Sequence, residues 1–263
     1  MGVSVDESVD ALGLLSGRFT TLLRSGLPAD RAVTGLDWTV RELGAHLASG
    51  AIAYGEMTVG GASPYRSIEA RATTNRERIA DEANDDLDAL AATIDREVAS
   101  MTPRLKALRE TDEMPWHGGI TLPATAFIGA MVAEFMFHGL DLARTAGADW
   151  RLERSDARSA IDFFNAATPY VVDATAAKGV TAAFDVRYRG YEPATFRFDD
   201  GALTVTPGRA ERADVRLSVD PVAFLMLGYR RTTLPKVLAS GRAVAWGRRP
   251  WLAFRFAGMF EAP

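Results

Sequence analysis

The 263-residue chain has 48% hydrophobic residues, no cysteine and a formal net charge of −4 at pH 7. This composition is ordinary for a globular protein with one large domain or two small ones. Because cysteine is absent, a disulfide framework, a thiolate metal site and a cysteine nucleophile are excluded.

The charge is distributed unevenly along the chain. Residues 1–150 contain 13 Lys+Arg and 22 Asp+Glu, a balance of −9, whereas residues 151–263 contain 17 and 12, a balance of +5. The arginines of the basic half are dispersed and form no stripe with interleaved aromatic residues, so we expect no nucleic-acid partner. The N-terminus lacks the pattern of a signal peptide and no run of about 18 apolar residues occurs, so we expect no membrane span and a cytoplasmic location.

Helical spacing of apolar residues dominates the first half. It predicts helices over residues 5–24, 39–59, 67–110 and 123–146, the third kinked or divided at Pro103. Thr39 and Glu42 form a capping box at the start of the second helix, with Trp38 and Leu43 placed for a hydrophobic staple. The acidic run at residues 81–88 indicates a solvated helix face. Four such helices predict a four-helix bundle domain over residues 1–150.

The apolar period changes in the second half. Ser155 is placed to cap a helix that runs to about Ala177, and we assign residues 151–178 to a linker helix. After Gly179 the apolar residues alternate, Asp199-Asp200-Gly201 is typical of a hairpin turn, and Asp220-Pro221 opens a helix. Further short helices are predicted over residues 232–239 and 250–259, with a strand at 241–246. Residues 179–263 are therefore predicted to form an α+β domain with an antiparallel sheet.

The central helix carries a carboxylate and an imidazole inside an apolar run. Glu134 and His138 are four residues apart and share one helix face, and His46 points inward from the second helix. Two histidines and a glutamate are a ligand set for a catalytic zinc ion. The alternative is a buried polar cluster whose members satisfy each other.

Two neighbouring residues extend this pattern. Asp141, one turn beyond His138, is placed either to orient that imidazole or to serve as an ordinary helix side chain. His117 lies in a glycine-flanked connector before the central helix. We interpret it as a surface histidine, although the connector is near enough in sequence for His117 to reach the mouth of the site.

Two stretches resemble the motifs of one family. The stretch from Trp38 to Leu47 reads WTVRELGAHL and resembles the first motif of the mycothiol-dependent maleylpyruvate isomerase family. The stretch from Glu134 to Ala143 reads EFMFHGLDLA and is similar to that family's second motif, E-x3-H-x2-D-x-A. The resemblance covers about residues 8–150 and implies a DinB-like, metal-binding bundle. The later half resembles the family's second domain, which is similar to the sterol-carrier-protein-2 fold.

The resemblance implies a cofactor pair and a reaction. It assigns zinc to His46, Glu134 and His138, and it implies mycothiol as the source of a nucleophilic thiolate, with no protein nucleophile. In the implied reaction the thiolate adds to an activated carbon–carbon double bond, the bond rotates, and elimination gives the trans isomer.

The resemblance leaves the substrate and the outcome open. A carboxylate-bearing electrophile would need cations, and from the arginines of the second half we choose Arg242 and Arg230. If elimination does not follow, the same chemistry is that of a mycothiol S-transferase. A different class is a non-catalytic protein that binds a lipid or another apolar ligand. The sequence does not indicate an oligomeric state.

Overall fold

The computed structural model describes residues 2–82 and 85–261. The chain divides into two compact units, Val3–Ser159 and Ala160–Pro263, the latter with Met1–Gly2. The division falls inside the segment 151–178 that the sequence assigns to a linker. We call the two parts the helical unit and the sheet unit.

Four long helices form the helical unit, as the periodicity predicts. They are α1 (Val5–Leu23), α2 (Val40–Met57), α4 (Leu87–Lys106) and α5 (Ala124–Ala146). Helix α1 packs on α4 and α5, and α2 also packs on α4 and α5, so the four helices close into a bundle. The interface between α2 and α5 is the least extensive of the four. A loosely closed seam between two core helices leaves room for a site.

The third predicted helix is two helices. Helix α3 (Arg71–Asp81) ends at the first residue of the acidic run, and α4 begins at Leu87 with Asp86 as its N-cap. The division at Pro103 was therefore wrong, because Pro103 lies inside α4, close to its C-terminal end. The acidic residues Asp81, Asp85, Asp86 and Asp88 are exposed, but they are divided between the end of α3, the connection and the start of α4 and do not form one continuous helix face.

A small hairpin precedes the central helix. Strands β1 (Glu113–Pro115) and β2 (Thr121–Pro123) pair antiparallel, and the turn between them holds His117. Gly118 has a φ of 66°, and a Cβ there would lie 3.3 Å from the Cα of Ser67, so the tight turn favours glycine. The sequence predicted only a connector here.

Helix α5 is the core of the bundle. It ends at Gly147, whose φ of 69° is the left-handed conformation of a helix C-cap. By length and composition α5 could cross a membrane, but 89% of its most apolar window is buried inside the protein. Its apolar character therefore fits a helix surrounded by protein on most faces.

The sheet unit contains five strands in the order β5-β4-β3-β6-β7. The strands are β3 (Ala182–Tyr188), β4 (Ala194–Asp199), β5 (Ala202–Pro207), β6 (Val215–Val219) and β7 (Ala243–Trp246). All neighbours pair antiparallel except β3 and β6, which are parallel. The predicted α+β class is confirmed, with one parallel pair in a sheet expected to be wholly antiparallel.

Helices cover the apolar face of this sheet. They are α6 (Arg154–Ala167), α7 (Ala174–Ala177), α8 (Pro221–Gly228), α9 (Leu234–Ala239) and α10 (Ala253–Phe256). The single helix predicted from Ser155 to about Ala177 is interrupted, since α6 ends at Ala167 and a 3-10 turn follows. On the sheet, Phe184, Phe196 and Phe198 meet Phe224 and Phe256 in an aromatic core.

Candidate metal centre

Three side chains from two helices converge in the seam between α2 and α5. The Nε2 atoms of His46 and His138 lie 3.2 Å and 3.3 Å from Oε2 of Glu134. One ligand atom from each of the three residues lies within 4.8 Å of the others. The structure therefore brings together the three residues selected from the sequence.

Local structure fixes the position of each side chain. The Thr39–Glu42 capping box is present, with Glu42 N 3.2 Å from Thr39 Oγ1 and Thr39 N 2.7 Å from Glu42 Oε2. This start sets the register of α2 and turns His46 inward, where the residue is 8% exposed. On α5 the i, i+4 spacing places Glu134 and His138 one turn apart on the same face.

The electrostatics favour an ionised carboxylate. Burial alone would raise the pKa of Glu134, but the hydrogen bonds with His138 and His46 outweigh it and hold the pKa well below its ordinary value. Burial lowers the pKa of His46. Burial also acts to lower the pKa of His138, yet Asp141 and Glu134 outweigh it and raise that pKa. The cluster thus combines an anionic acid with two imidazoles of different basicity.

Asp141 and Trp38 border the cluster. Asp141 is 2% exposed, and its Oδ2 lies 3.7 Å from Nδ1 of His138. That distance is longer than a hydrogen bond, and within the described residues the buried Nδ1 of His138 has no hydrogen-bond partner. The Trp38 ring centroid lies 4.8 Å from His46 and 5.8 Å from His138, so this side chain covers both imidazoles. From the sequence, Trp38 was predicted only to form a hydrophobic staple with Leu43, and its contact with the two histidines was not predicted.

His117 is buried, and its interpretation as a surface histidine was wrong. The residue is 7% exposed, its ring stacks on Trp116 at 4.5 Å, and Tyr65 lies 4.1 Å away on another side. Its Nδ1 lies 2.9 Å from Ser63 Oγ. Burial lowers the pKa of His117 to about 3, so the imidazole is neutral at physiological pH. The loop position gave no sequence signal for this burial.

One face of α3 adds polar groups that the sequence reading missed. Arg71, Asn75 and Arg78 recur at helical spacing, and all three are partly buried. Tyr65 donates a hydrogen bond to Asn75 Oδ1 at 2.7 Å, and burial raises the pKa of Tyr65 to about 12. The helical spacing of Arg71, Asn75 and Arg78 is a sequence signal for a shared face. The sequence-based choice of substrate-binding cations considered only the arginines of the second half.

The two arginines chosen for substrate binding lie in the sheet unit, where each has a local partner. Arg242 pairs with Asp220 at 2.6 Å, and Asp220 is the N-cap of α8. Arg230 donates to the carbonyl of Phe260 at 3.3 Å, and its backbone has a φ of 56°. A substrate role for Arg242 and Arg230 stays a prediction.

A helix bundle with two imidazoles and a carboxylate converging between two core helices is the architecture of a metal-binding bundle. Residues 16–143 match the sequence profile of the family described as mycothiol maleylpyruvate isomerase N-terminal domain, and this match spans all three cluster residues. The helical unit thus matches the profile of the family that its two motifs predicted.

Solved structures match most of the chain. The crystal structure of the mycothiol-dependent maleylpyruvate isomerase is 18% identical, covers 88% of this chain and 90% of its own, and gives a TM-score of 0.52. A histidine-to-alanine mutant of that enzyme is also 18% identical, covers 92% and 93%, and gives a TM-score of 0.54. These likenesses confirm the order of a helical domain followed by an α+β domain.

A further structure, described as UbiJ-SCP2 ubiquinone synthesis protein, covers 33% of this chain and 69% of its own at 17% identity and a TM-score of 0.28. That score is too low to bear on the fold of the sheet unit. Among curated proteins, none matches the chain.

Proposed function

We propose that the chain is a zinc- and mycothiol-dependent enzyme that isomerises a small electrophilic acid from cis to trans, as a maleylpyruvate isomerase does. The observation that carries the proposal is the convergence of His46, Glu134 and His138 between α2 and α5. The match of residues 16–143 to the family profile supports it. The full-length likeness to a mycothiol-dependent maleylpyruvate isomerase supports it further.

Two of the three ligand separations fit a zinc ion directly, and the three ligand atoms together lie within 4.8 Å of one another. Ligand atoms about 2.0–2.2 Å from a tetrahedral zinc ion lie roughly 3.4 Å from one another. The two Nε2–Oε2 separations are 3.2 and 3.3 Å. The Glu134 side chain is 40% exposed, so the cluster is open on one side, as a catalytic site with three protein ligands requires.

The protein groups have distinct roles in this proposal. A zinc ion held by His46, Glu134 and His138 would supply Lewis acidity that keeps a thiol ionised near neutral pH. Glu134 brings the negative charge, and burial keeps His46 in the neutral form that a metal ligand needs. The Asp141 carboxylate lies 3.7 Å from Nδ1 of His138, on the side of the imidazole away from the ligand atom, and the Trp38 ring covers both imidazoles on one side.

The substrate is proposed to be a small carboxylate-bearing molecule, with neither nucleic acid nor membrane as a partner. Arg242 and Arg230 remain candidates for its carboxylate. A cytoplasmic location suits a protein that uses a reduced thiol cofactor and contains no cysteine.

The sheet unit gives little support to the alternative of a non-catalytic protein that binds a lipid or another apolar ligand. Its apolar cavity, lined by residues such as Phe164, Phe224, Phe256 and Phe260, has a volume of about 30 Å³. A cavity of that volume holds about two water molecules and not a lipid chain.

A product assay tests the proposal. Zinc-loaded protein is incubated with mycothiol and maleylpyruvate, and the products are followed by chromatography and mass spectrometry. Isomerisation gives a product of unchanged mass, and only when mycothiol is present. A stable thiol adduct would show the S-transferase reaction instead. Turnover that survives in His46→Ala, or that needs no thiol, would refute the proposal.

A further inference from the structure

Helix α3 packs on α2, the helix that carries His46, and its partly buried face is polar. Arg71, Asn75 and Arg78 lie on this face. Asn75 accepts the hydrogen bond from Tyr65, and Arg78 donates through Nη2 to the carbonyl of Ser49 at 2.5 Å. These contacts turn the face towards α2 and the loop that holds Tyr65.

The guanidinium of Arg78 contacts the backbone of α2 one helical turn from His46. Its acceptor, Ser49, is one helical turn after His46, and the Ser49 hydroxyl donates back to the His46 carbonyl at 3.0 Å. Electrostatic effects agree with this placement, because the positive charge of Arg78 acts to lower the pKa of both His46 and Tyr65. Tyr65 in turn packs on His117, and the pKa of each of these two residues responds to Glu134.

Arg78 has one hydrogen-bond donor that is paired within the described residues and one that is not. Its Nε is buried and has no hydrogen-bond partner within residues 2–82 and 85–261. Leaving such a donor unpaired costs folding free energy. The Nε of a nearby arginine, Arg41, also lacks a hydrogen bond, but Oδ1 of Asp85 lies 2.8 Å away as its ion-pair partner, and other nitrogens of Arg41 donate to the carbonyls of Ile79 and Glu82. The charge of Arg41 therefore faces an acid at the end of α3, whereas the hydrogen bond described for Arg78 goes to a carbonyl.

We propose that Arg78 binds a carboxylate of the substrate beside the His46–Glu134–His138 cluster, with the Tyr65–Asn75 pair fixing the polar face of α3 around it. A guanidinium edge matches the two oxygens of a carboxylate, and a ligand oxygen would satisfy the buried Nε. The inference rests on the proposed function, because it names the group that orients the acid. It also moves the substrate cation from the sheet unit to the helical unit.

The test uses maleate as a dicarboxylate probe. Binding to the full-length protein is measured by calorimetry and tryptophan fluorescence, with and without added zinc, and zinc content is measured on every sample. The variants are Arg78→Gln, Arg78→Lys and the control Arg76→Gln, which removes an exposed arginine from the outer side of the same helix. Circular dichroism checks that each variant is folded, and Arg78→Lys keeps the charge if Arg78→Gln is unstable.

The proposal expects Arg78→Gln to raise the maleate Kd roughly tenfold or more and Arg78→Lys to raise it by a smaller factor, because lysine lacks the planar fork. Arg76→Gln should stay within about twofold of the unsubstituted protein, since exposed charges contribute little. Zinc content should be unchanged throughout. Unaltered binding by Arg78→Gln, an equal loss in Arg76→Gln, or no saturable binding by the unsubstituted protein would overturn the inference. Failure of all samples to hold zinc would instead refute the proposed function, and the zinc-free titrations would still test Arg78.

Discussion

The acidic residues singled out in the two units have different partners. In the sheet unit, Asp185 is fully buried and pairs with Arg187 at 2.7 Å, and Asp220 pairs with Arg242 at 2.6 Å. In the helical unit, Glu134 and Asp141 face histidines. Arginine never gives up its proton in proteins, whereas a neutral imidazole offers a lone pair to a metal. The sheet unit therefore has permanent ion pairs, and the helical unit has a cluster that can exchange protons for a cation.

The apolar cores of the two units also differ. The sheet unit packs phenylalanine rings against one another, as at Phe196–Phe256, where the ring centroids are 5.3 Å apart. The helical unit interrupts its apolar core at the least extensive of its four helix interfaces. Changes in the aromatic core of the sheet unit should therefore alter stability and leave metal binding unchanged, and changes around the cluster should alter metal binding as well.

Removal of a sheet-unit ring gives the largest effect. Phe196 is fully buried and contacts the rings of Phe224 and Phe256. Phe196→Ala should lower the free energy of unfolding by about 3–5 kcal/mol, because it removes apolar burial and leaves a cavity. Urea denaturation measures the loss. Zinc bound per folded chain should not change, and a parallel loss of zinc would contradict the separation of roles.

Acid should destabilise the helical unit through His117. The unfolded imidazole has a pKa of 6.5, and burial lowers it to about 3 in the folded chain. Between those values the unfolded chain binds the proton more readily, so stability is lost as the pH falls from 6.5 towards 3. At pH 4 the loss from this residue is about 3 kcal/mol.

The variant His117→Gln should therefore lose about 3 kcal/mol less than the unsubstituted protein between pH 6.5 and pH 4. Ser63→Ala is the control, because it removes the hydrogen-bond partner at 2.9 Å and leaves the imidazole in place. Unfolding curves at a series of pH values measure how the free energy of unfolding of each protein changes with pH. Identical acid profiles for His117→Gln and the unsubstituted protein would show that His117 titrates normally.

A glycine next to the cluster should tolerate no side chain. A Cβ on Gly139 would lie 2.0 Å from the Trp150 ring, whose Nε1 donates to the Met136 carbonyl at 3.1 Å. Gly139→Ala should therefore cost about 1–3 kcal/mol through overpacking. The matched control is Gly13→Ala on α1, where nothing lies within 4 Å, and this change should stabilise by about 0.5–1 kcal/mol. Thermal unfolding should show shifts of opposite sign for the two variants, and shifts of the same sign would refute the packing argument.

Removal of the carboxylate charge behind His138 should have the most specific effect. Asp141→Asn keeps the shape of the side chain but removes the charge near Nδ1 of His138. Loss of such a partner typically weakens metal binding 10- to 100-fold, and we expect zinc affinity to fall in that range. Competition with a chelator measures it. Asp220→Asn, which removes a buried acid of the sheet unit, should leave zinc affinity unchanged, and an equal fall in both variants would indicate a global effect.

The sequence predicted the parts of the fold and site that depend on regular spacing. Helix α5, the Thr39–Glu42 capping box and the inward positions of His46, Glu134 and His138 follow from local periodicity and capping. The motifs also identified the family, and the alternation after Gly179 predicted the strands.

The features that were missed depend on contacts between distant segments. The burial of His117 needs Tyr65 from a loop 52 positions earlier, and the role of Trp38 as a cover needs α5 beside α2. The parallel pairing of β3 with β6 depends on tertiary topology, and the alternation of apolar and polar residues does not specify which strands pair or in which direction. Proline disfavours helix interiors, so the sequence predicts a break at Pro103. Helix α4 nevertheless continues through Pro103 to Lys106, and the neighbouring Met101 and Leu105 are buried.

Metal analysis of the purified protein tests the central claim most directly. The unsubstituted chain is compared with a Glu134→Ala, His138→Ala double variant after exposure to zinc and removal of excess metal, with circular dichroism on both samples. One zinc ion per chain in the former, and none in a folded double variant, is the predicted result. No retained metal in either protein would contradict the account and would identify His46, Glu134 and His138 as a polar cluster held together by its own hydrogen bonds.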